Sequence, residues 1–183
     1  MFDLHKSVIP GCYEIQPCVS EDVRGRFVKV FHKEHFEALG LESNFVEEYY
    51  STSRKGVVRG LHFQAPPMDH IKIIYCVVGE VLDVVVDLRF GSPSYGRFAL
   101  FNLSADKANI VYIPKGLAHG FYVVGENSTL VYKVSSIYSP QQDCGISWNS
   151  VGVPWPTGAP ILSERDRAFP RFENFASPFR YEQ

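Results

Sequence analysis

Apolar and polar residues alternate along most of this chain with a period near two, the spacing of a half-buried strand. The clearest stretch is IKIIYCVVGEVLDVVVDLR, residues 71–89. Two β-branched runs flank Gly79-Glu80, which predicts a hairpin. In the second run Val81, Asp83, Val85 and Asp87 face one side, and Leu82, Val84, Val86 and Leu88 the other. A helix of that length would be apolar all round, so a strand is the better reading. Further strands are predicted over 97–103, 109–114, 119–124 and 129–138, and upstream over 25–31, 45–51 and 57–64. Only residues 32–40 predict a helix, with Phe36 and Leu39 on one face and Gly40 as the stop. The tail from Ser150 is rich in Pro and polar residues, with one helical turn expected near 163–169. About eight or more strands with frequent breakers predict an all-β sandwich or barrel. A jelly roll (a double-stranded β-helix) with short helical segments is preferred, because its mouth holds one ligand. No repeat, low-complexity tract or linker divides the chain, so residues 1–183 are expected to form one domain.

Composition narrows the function. The chain has 183 residues and a net charge of −2. That charge gives no general attraction for nucleic acid or an anionic membrane. The segment MFDLHKSVIP lacks the apolar stretch of a signal peptide, and no apolar run approaches a membrane span. Cys12, Cys18, Cys76 and Cys144 form no CxxC pair and are too sparse for a disulfide framework. A soluble cytoplasmic protein is expected. One excess stands out: 14 Phe, 10 Tyr and 2 Trp. Most of these rings are expected on the two inner faces of the jelly roll, where aromatic and β-branched pairs suit a sheet.

Polar residues inside apolar strands carry the candidate chemistry. In RGLHFQ (59–64), alternation places Arg59, Leu61 and Phe63 on one face and Gly60, His62 and Gln64 on the other. Such groups are costly among apolar neighbours unless paired or used. His119 follows a Pro-x-Gly turn in IPKGLAHGF (113–121). The two segments resemble the histidine motifs of cupins. A metal-binding cupin has His-x-His in the first, where this chain has His62-Phe63-Gln64. An amide is a poor substitute for imidazole on a first-row transition metal, and His70, Asp69 and Glu80 do not restore the spacing. No metal or other cofactor is expected. His62 is then a structural residue or a general base near its ordinary pKa of about 6.5, and a base needs an orienting carboxylate. Asp83, Asp87 and Asp166 are the candidates. Lys72, inside an apolar run, either snorkels or enters a cavity. Tyr132 and Tyr138 are six residues apart on one predicted strand and so share a face.

Together these segments resemble the dTDP-4-dehydrorhamnose 3,5-epimerase family. The matching pieces are DVRGRF (22–27), GVVRGLHFQAPP (56–67), the Lys72 strand with VVVDLR (84–89), SPSYG (92–96), IPKGLAHGF (113–121), YKVSSIYSP (132–140), ISWN (146–149), WP (155–156) and ILSERD (161–166). They run in family order across nearly the whole chain. The resemblance implies a metal-free jelly roll acting as a homodimer on a nucleotide-diphosphate sugar. It implies that His62 is the base, Asp166 its orienting carboxylate, Tyr132 the acid on the opposite face of the sugar, and Lys72 the cation for the enolate oxygen. Arg24, Arg59 and His119 resemble substrate and diphosphate contacts, and Tyr138 a ring stacked on the nucleotide. Phe27 and Tyr49 are further ligand-facing candidates.

Five positions depart from the family pattern. Lys29 stands where Glu is usual, Glu47 and Tyr49 where Gln and Asn are usual, and Asp143 and Arg165 replace Glu and Lys. The resemblance implies that the first three lie near the thymine base. Thymine N3–H suits a carboxylate acceptor, whereas Lys29 and Glu47 together suit the edges of cytosine or guanine. A CDP- or GDP-linked sugar therefore stands beside dTDP as a substrate. The bland alternative is a Lys29–Glu47 ion pair with thymine still bound. Whether C3, C5 or both invert is open. The rival activities are a cupin 3,4-ketoisomerase, disfavoured by Gln64, a metal-dependent oxygenase, and a silent sugar-nucleotide-binding module.

Overall fold

The computed structural model describes residues 2–181. Its strands are β1 (Asp3–Lys6), β2 (Tyr13–Gln16), β3 (Val19–Asp22), β4 (Gly25–Val28), β5 (Glu47–Arg54), β6 (Val58–Gln64), β7 (Lys72–Val78), β8 (Glu80–Asp87), β9 (Phe98–Ser104), β10 (Ile110–Ile113), β11 (Leu117–Val123), β12 (Asn127–Val134) and β13 (Asp143–Gly145). Two short α-helices, α1 (Lys33–Ala38) and α2 (Glu164–Arg167), and a 3₁₀ turn at Phe172–Asn174 complete the elements. A six-stranded sheet in the order β1-β2-β10-β7-β12-β5 faces a five-stranded sheet in the order β13-β6-β11-β8-β9. This is the expected jelly roll, and among the described residues no helix is long and apolar enough to cross a membrane.

Several expectations change in detail. The run 71–89 is not a hairpin. β7 lies in the six-stranded sheet and β8 in the five-stranded one. Gly79, at φ +73°, makes the corner between them, and a Cβ there would collide with the Asn127 carbonyl. Segment 25–31 stops at Val28 and pairs only with β3, forming a two-stranded hairpin apart from both sheets. The last predicted strand ends at Val134, so Tyr138 lies beyond it. In α1 only Phe36 is buried, and Leu39 becomes the half-exposed cap residue.

The aromatic rings are also distributed differently. The space between the sheets is mostly aliphatic, with Ile74, Val85, Leu103, Val111 and Leu130 joined by Phe101, Phe121 and Tyr132. Rings gather on the outer faces instead. Phe2, Phe31, Phe36 and Phe45 pack α1 against the outside of the six-stranded sheet. Phe63, Phe172, Phe175, Phe179 and Trp155 lie where the C-terminal tail wraps the outside of the five-stranded sheet. One short helix and an irregular tail have few side chains with which to cover a sheet, and aromatic rings bury the most area per residue.

A bulge decides the orientation of β6. His62 pairs with His119 and Arg59 with Phe121, so Gly60 and Leu61 together oppose the single residue Gly120. The extra residue breaks the period of two. Arg59 turns to the side of His62, while Leu61 and Phe63 enter the core under the tail. The bulge requires glycine. Gly60 has φ +129°, and a Cβ on it would lie 2.6 Å from the Gly120 Cα. Gly60→Ala is therefore expected to lower stability by about 2–4 kcal/mol through strain and overpacking. Chemical denaturation of the variant measures this, and an unchanged midpoint would contradict the account of the bulge.

Candidate active site

One cavity of about 350 Å³ opens between the two sheets. β6 supplies Arg59, His62 and Gln64 to one wall, and its neighbour β11 supplies His119. The opposite wall carries Lys72 on β7, Tyr132 on β12, and Glu47, Tyr49 and Ser51 on β5. Tyr138, Asp143 and Arg165 stand at the rim.

His62 is oriented from the C-terminal tail. The Ser163 hydroxyl caps α2 by accepting the Asp166 N–H at 3.1 Å, which fixes the first turn. Asp166 is thereby carried inward, 4% exposed, with Oδ1 2.9 Å from His62 Nε2 and Oδ2 accepting the Gly60 N–H at 3.0 Å. Among the three carboxylates left open by sequence, Asp166 is thus the partner of His62. Asp83 instead holds His119 Nε2 at 2.6 Å, and Asp87 binds Arg89, Ser92 and Ser94. With Nε2–H donating to Asp166, Nδ1 of His62 keeps its lone pair. Burial pushes the imidazole below its ordinary pKa of 6.5, outweighing the pull of Asp166 in the other direction. Burial raises the Asp166 carboxyl, but the His62 and Gly60 hydrogen bonds hold it below the usual range. His62 is therefore neutral at pH 7, the state in which an imidazole can accept a proton.

The opposite wall is tuned for the complementary task. Burial raises the Tyr132 phenol, which stays protonated at neutral pH, and its Oη lies 3.2 Å from Ser51 Oγ. Burial lowers the Lys72 ammonium to about 8, with Asp143 and Asp83 opposing the shift. At pH 7 it still carries its charge, near the cavity and buried among apolar strand residues.

Gln64 proves to be a tie. Its amide nitrogen donates to the Met68 carbonyl at 2.7 Å, and its Oε1 accepts the Ser139 N–H at 2.7 Å, joining the loop after β6 to the segment after β12. His70 Nδ1 lies within 3.2 Å of both the Gln64 amide nitrogen and Ser136 Oγ. At the rim Arg165 pairs with Asp143 at 2.8 Å, Tyr138 donates to Asp143 at 3.1 Å, and Glu47 accepts the Tyr138 N–H at 2.7 Å. Among the described residues, no three His, Cys, Asp or Glu side chains converge to hold a metal ion.

Not every predicted residue reaches this cavity. Arg24, Phe27 and Lys29 sit on or beside the β3–β4 hairpin, against separate shallow hollows. No Lys29–Glu47 pair forms within the described residues. Ser51, His70 and Phe121 line the cavity but were not predicted to. Ser51 was legible, since it lies two residues after Tyr49 on a predicted strand and shares its face. His70 carried no such signal, because its place depends on how loop 65–71 folds back.

A neutral imidazole facing a protonated phenol across one cavity of a cupin-like jelly roll is an arrangement suited to an acid–base isomerase. The chain belongs to the dTDP-4-dehydrorhamnose 3,5-epimerase family, whose model matches residues 6–174. It is 43% identical over 164 residues to the dTDP-4-dehydrorhamnose 3,5-epimerase of Shigella flexneri, covering 88% of this chain and 91% of that one. It is 40% identical to the dTDP-4-dehydrorhamnose 3-epimerase of Streptomyces niveus, covering 87% and 78%. The Legionella pneumophila 3,5-epimerase, solved with dTDP-4-keto-L-rhamnose, superposes with a TM-score of 0.95 at 33% identity, covering all of both chains.

His70 supplies a test of the wall's electrostatics. Burial first, then the Lys72 and Lys115 cations, lower its imidazole from 6.5 to about 3. The unfolded chain takes this proton near pH 6.5 and the folded chain refuses it until about pH 3. Its share of stability is intact above pH 6.5 and is lost as pH falls through that window. His70→Gln is expected to lose less stability than the wild type between pH 7 and 4.5, measured by urea unfolding. Equal losses would contradict the placement of His70.

Proposed function

We propose that this protein is a cofactor-independent epimerase acting on a dTDP-linked 4-keto-6-deoxyhexose, with dTDP-4-dehydro-6-deoxyglucose as substrate and dTDP-4-dehydrorhamnose as product. The observation that carries the reading is the placement of His62 and Tyr132 on opposing sheets around one cavity. C–H bonds at C3 and C5 are acidified by the neighbouring ketone. His62 Nδ1 takes the proton, and the Lys72 ammonium stabilises the charge that develops on the ketone oxygen. Tyr132 returns a proton to the other face. Stabilisation of this oxyanion type is worth about 3–4 kcal/mol of barrier per donor. Arg59 and His119 contact the substrate from the same wall as the base, and Tyr138, held by Glu47 and Asp143, stacks on the nucleotide. Asp143 and Arg165 neutralise one another and shape the rim. The dTDP sugar is preferred over the cytidine and guanosine alternatives because the matching family and its relatives are named for dTDP sugars, and one oxygen of Glu47 already accepts the Tyr138 N–H.

Arg24, Phe27 and Lys29 enter this reading through a homodimer. The β3–β4 hairpin stands clear of both sheets, with Phe27 64% and Val23 fully exposed. A second copy gives these rings and cations a surface to cover, and each hairpin then completes its partner's pocket. All four cysteines are free, in keeping with work in the reducing cytoplasm.

The test is incubation in deuterated water with dTDP-, CDP- and GDP-linked 4-keto-6-deoxyglucose. Deuterium is expected at C3, C5 or both, fastest with the dTDP sugar. His62→Ala is expected to lose exchange by about 10³-fold, while Tyr132→Phe retains exchange and loses inversion. An equal mixture of Arg24→Ala and His62→Ala chains is expected to recover activity that neither has alone. No exchange with any nucleotide, or full activity in His62→Ala, would overturn the reading.

A further inference from the structure

The acid on the far wall is not held by its own hydrogen bond alone. Tyr132 and Tyr49 are direct cross-strand partners on β12 and β5, so both side chains rise from the same face of the sheet. Their rings lie nearly parallel, 16° apart, with centroids separated by 4.9 Å. The His119 ring meets Tyr132 edge-on at 6.1 Å, and Ser51, two residues after Tyr49, holds the phenolic oxygen. Tyr132 is 7% exposed, whereas Tyr49 is 40% exposed and on a strand at the sheet edge. Tyr49 thus contributes little to the buried core. Its hydroxyl makes no hydrogen bond among the described residues, and its fixed feature is the stacked ring.

We infer that Tyr49 is a positioning residue for Tyr132, and that its ring sets how often the enolate is protonated on the inverting face. The inference rests on the proposed epimerase reading. In the forward step the C–H electron pair moves into a C–C double bond as His62 takes the proton and the ketone becomes an enolate. In the return step the Tyr132 O–H bond breaks, its proton joins the same carbon on the opposite face, and the ketone reforms. Tyrosinate then regains a proton from water, and the imidazolium of His62 releases one. If the phenol swings out of line, His62 returns a solvent-equilibrated proton to the original face. The product of that failure is exchange without inversion.

The ratio of inversion to deuterium incorporation, read by NMR with the dTDP-linked 4-keto-6-deoxyglucose in deuterated water, separates the two outcomes. Tyr49→Asn, which removes the ring, is expected to lower that ratio about fivefold or more at saturating substrate, a change that altered ligand binding alone would not produce. Tyr49→Phe, which keeps the ring without the hydroxyl, is expected to restore the wild-type ratio. If circular dichroism shows Tyr49→Asn unfolded, Tyr49→Leu, which keeps apolar bulk without the stack, takes its place with the same expected loss. An unchanged ratio with a raised KM would show that Tyr49 only touches the ligand and would overturn the inference. A proportional fall of exchange and inversion would overturn it too. Absence of exchange in the wild-type chain would instead refute the proposed function, so the two failures are distinguishable.

Discussion

The site depends on a backbone contact between two glycines. Gly60 on β6 and Gly120 on β11 approach so closely that a methyl group on either would meet the other strand's backbone at 2.6 Å. The bulge made there has three effects. It turns Arg59 and His62 to the same side, sends Leu61 and Phe63 into the core, and presents the Gly60 N–H to Asp166. One local constraint therefore aims the proposed base, seats its wall, and binds the carboxylate that orients its ring. Asp166 comes from a helix of four residues, too short to be stable alone. Its place is fixed by the Ser163 cap on one side and by β6 on the other.

The two walls use burial in opposite directions. Desolvation disfavours the charged form of any group. It therefore keeps His62 neutral and Tyr132 protonated, which is the pair of states a base and an acid need before reaction. The same force lowers Lys72 to about 8, against the pull of Asp143 and Asp83, and leaves it charged at neutral pH. A chain of net charge −2 thus presents local cations to an anionic ligand without a basic surface.

Much of this was legible in the sequence, for identifiable reasons. His62 and Lys72 stand out because polar groups in apolar strands are costly unless used, whereas Tyr132 is singled out only by the family resemblance. The jelly roll follows from many short strands and scattered breakers. Spacing does not rank Asp166, 104 residues from His62, against Asp83 or Asp87, and only the family resemblance of ILSERD singles it out. Arg59 was placed on the wrong face because alternation ignores a bulge. Residues 71–89 read as a hairpin because local pattern does not reveal that Gly79 turns between sheets. The aromatic rings were placed between the sheets, yet they are needed most where a thin tail and one helix cover the outside. The residues Arg24, Phe27 and Lys29 lie apart from the cavity because β3 and β4 pair only with each other, which local alternation does not reveal.

The central claim is that Asp166 holds a neutral His62 with Nδ1 free to accept a proton. Nitrogen-15 NMR of histidine-labelled protein, titrated from pH 8 to 4 with His62→Gln to assign the signal, tests it most directly. The account predicts a His62 ring protonated at Nε2 alone at pH 7, taking its second proton only below pH 6.5. A ring protonated at Nδ1, or an imidazolium already formed at pH 7, would contradict it.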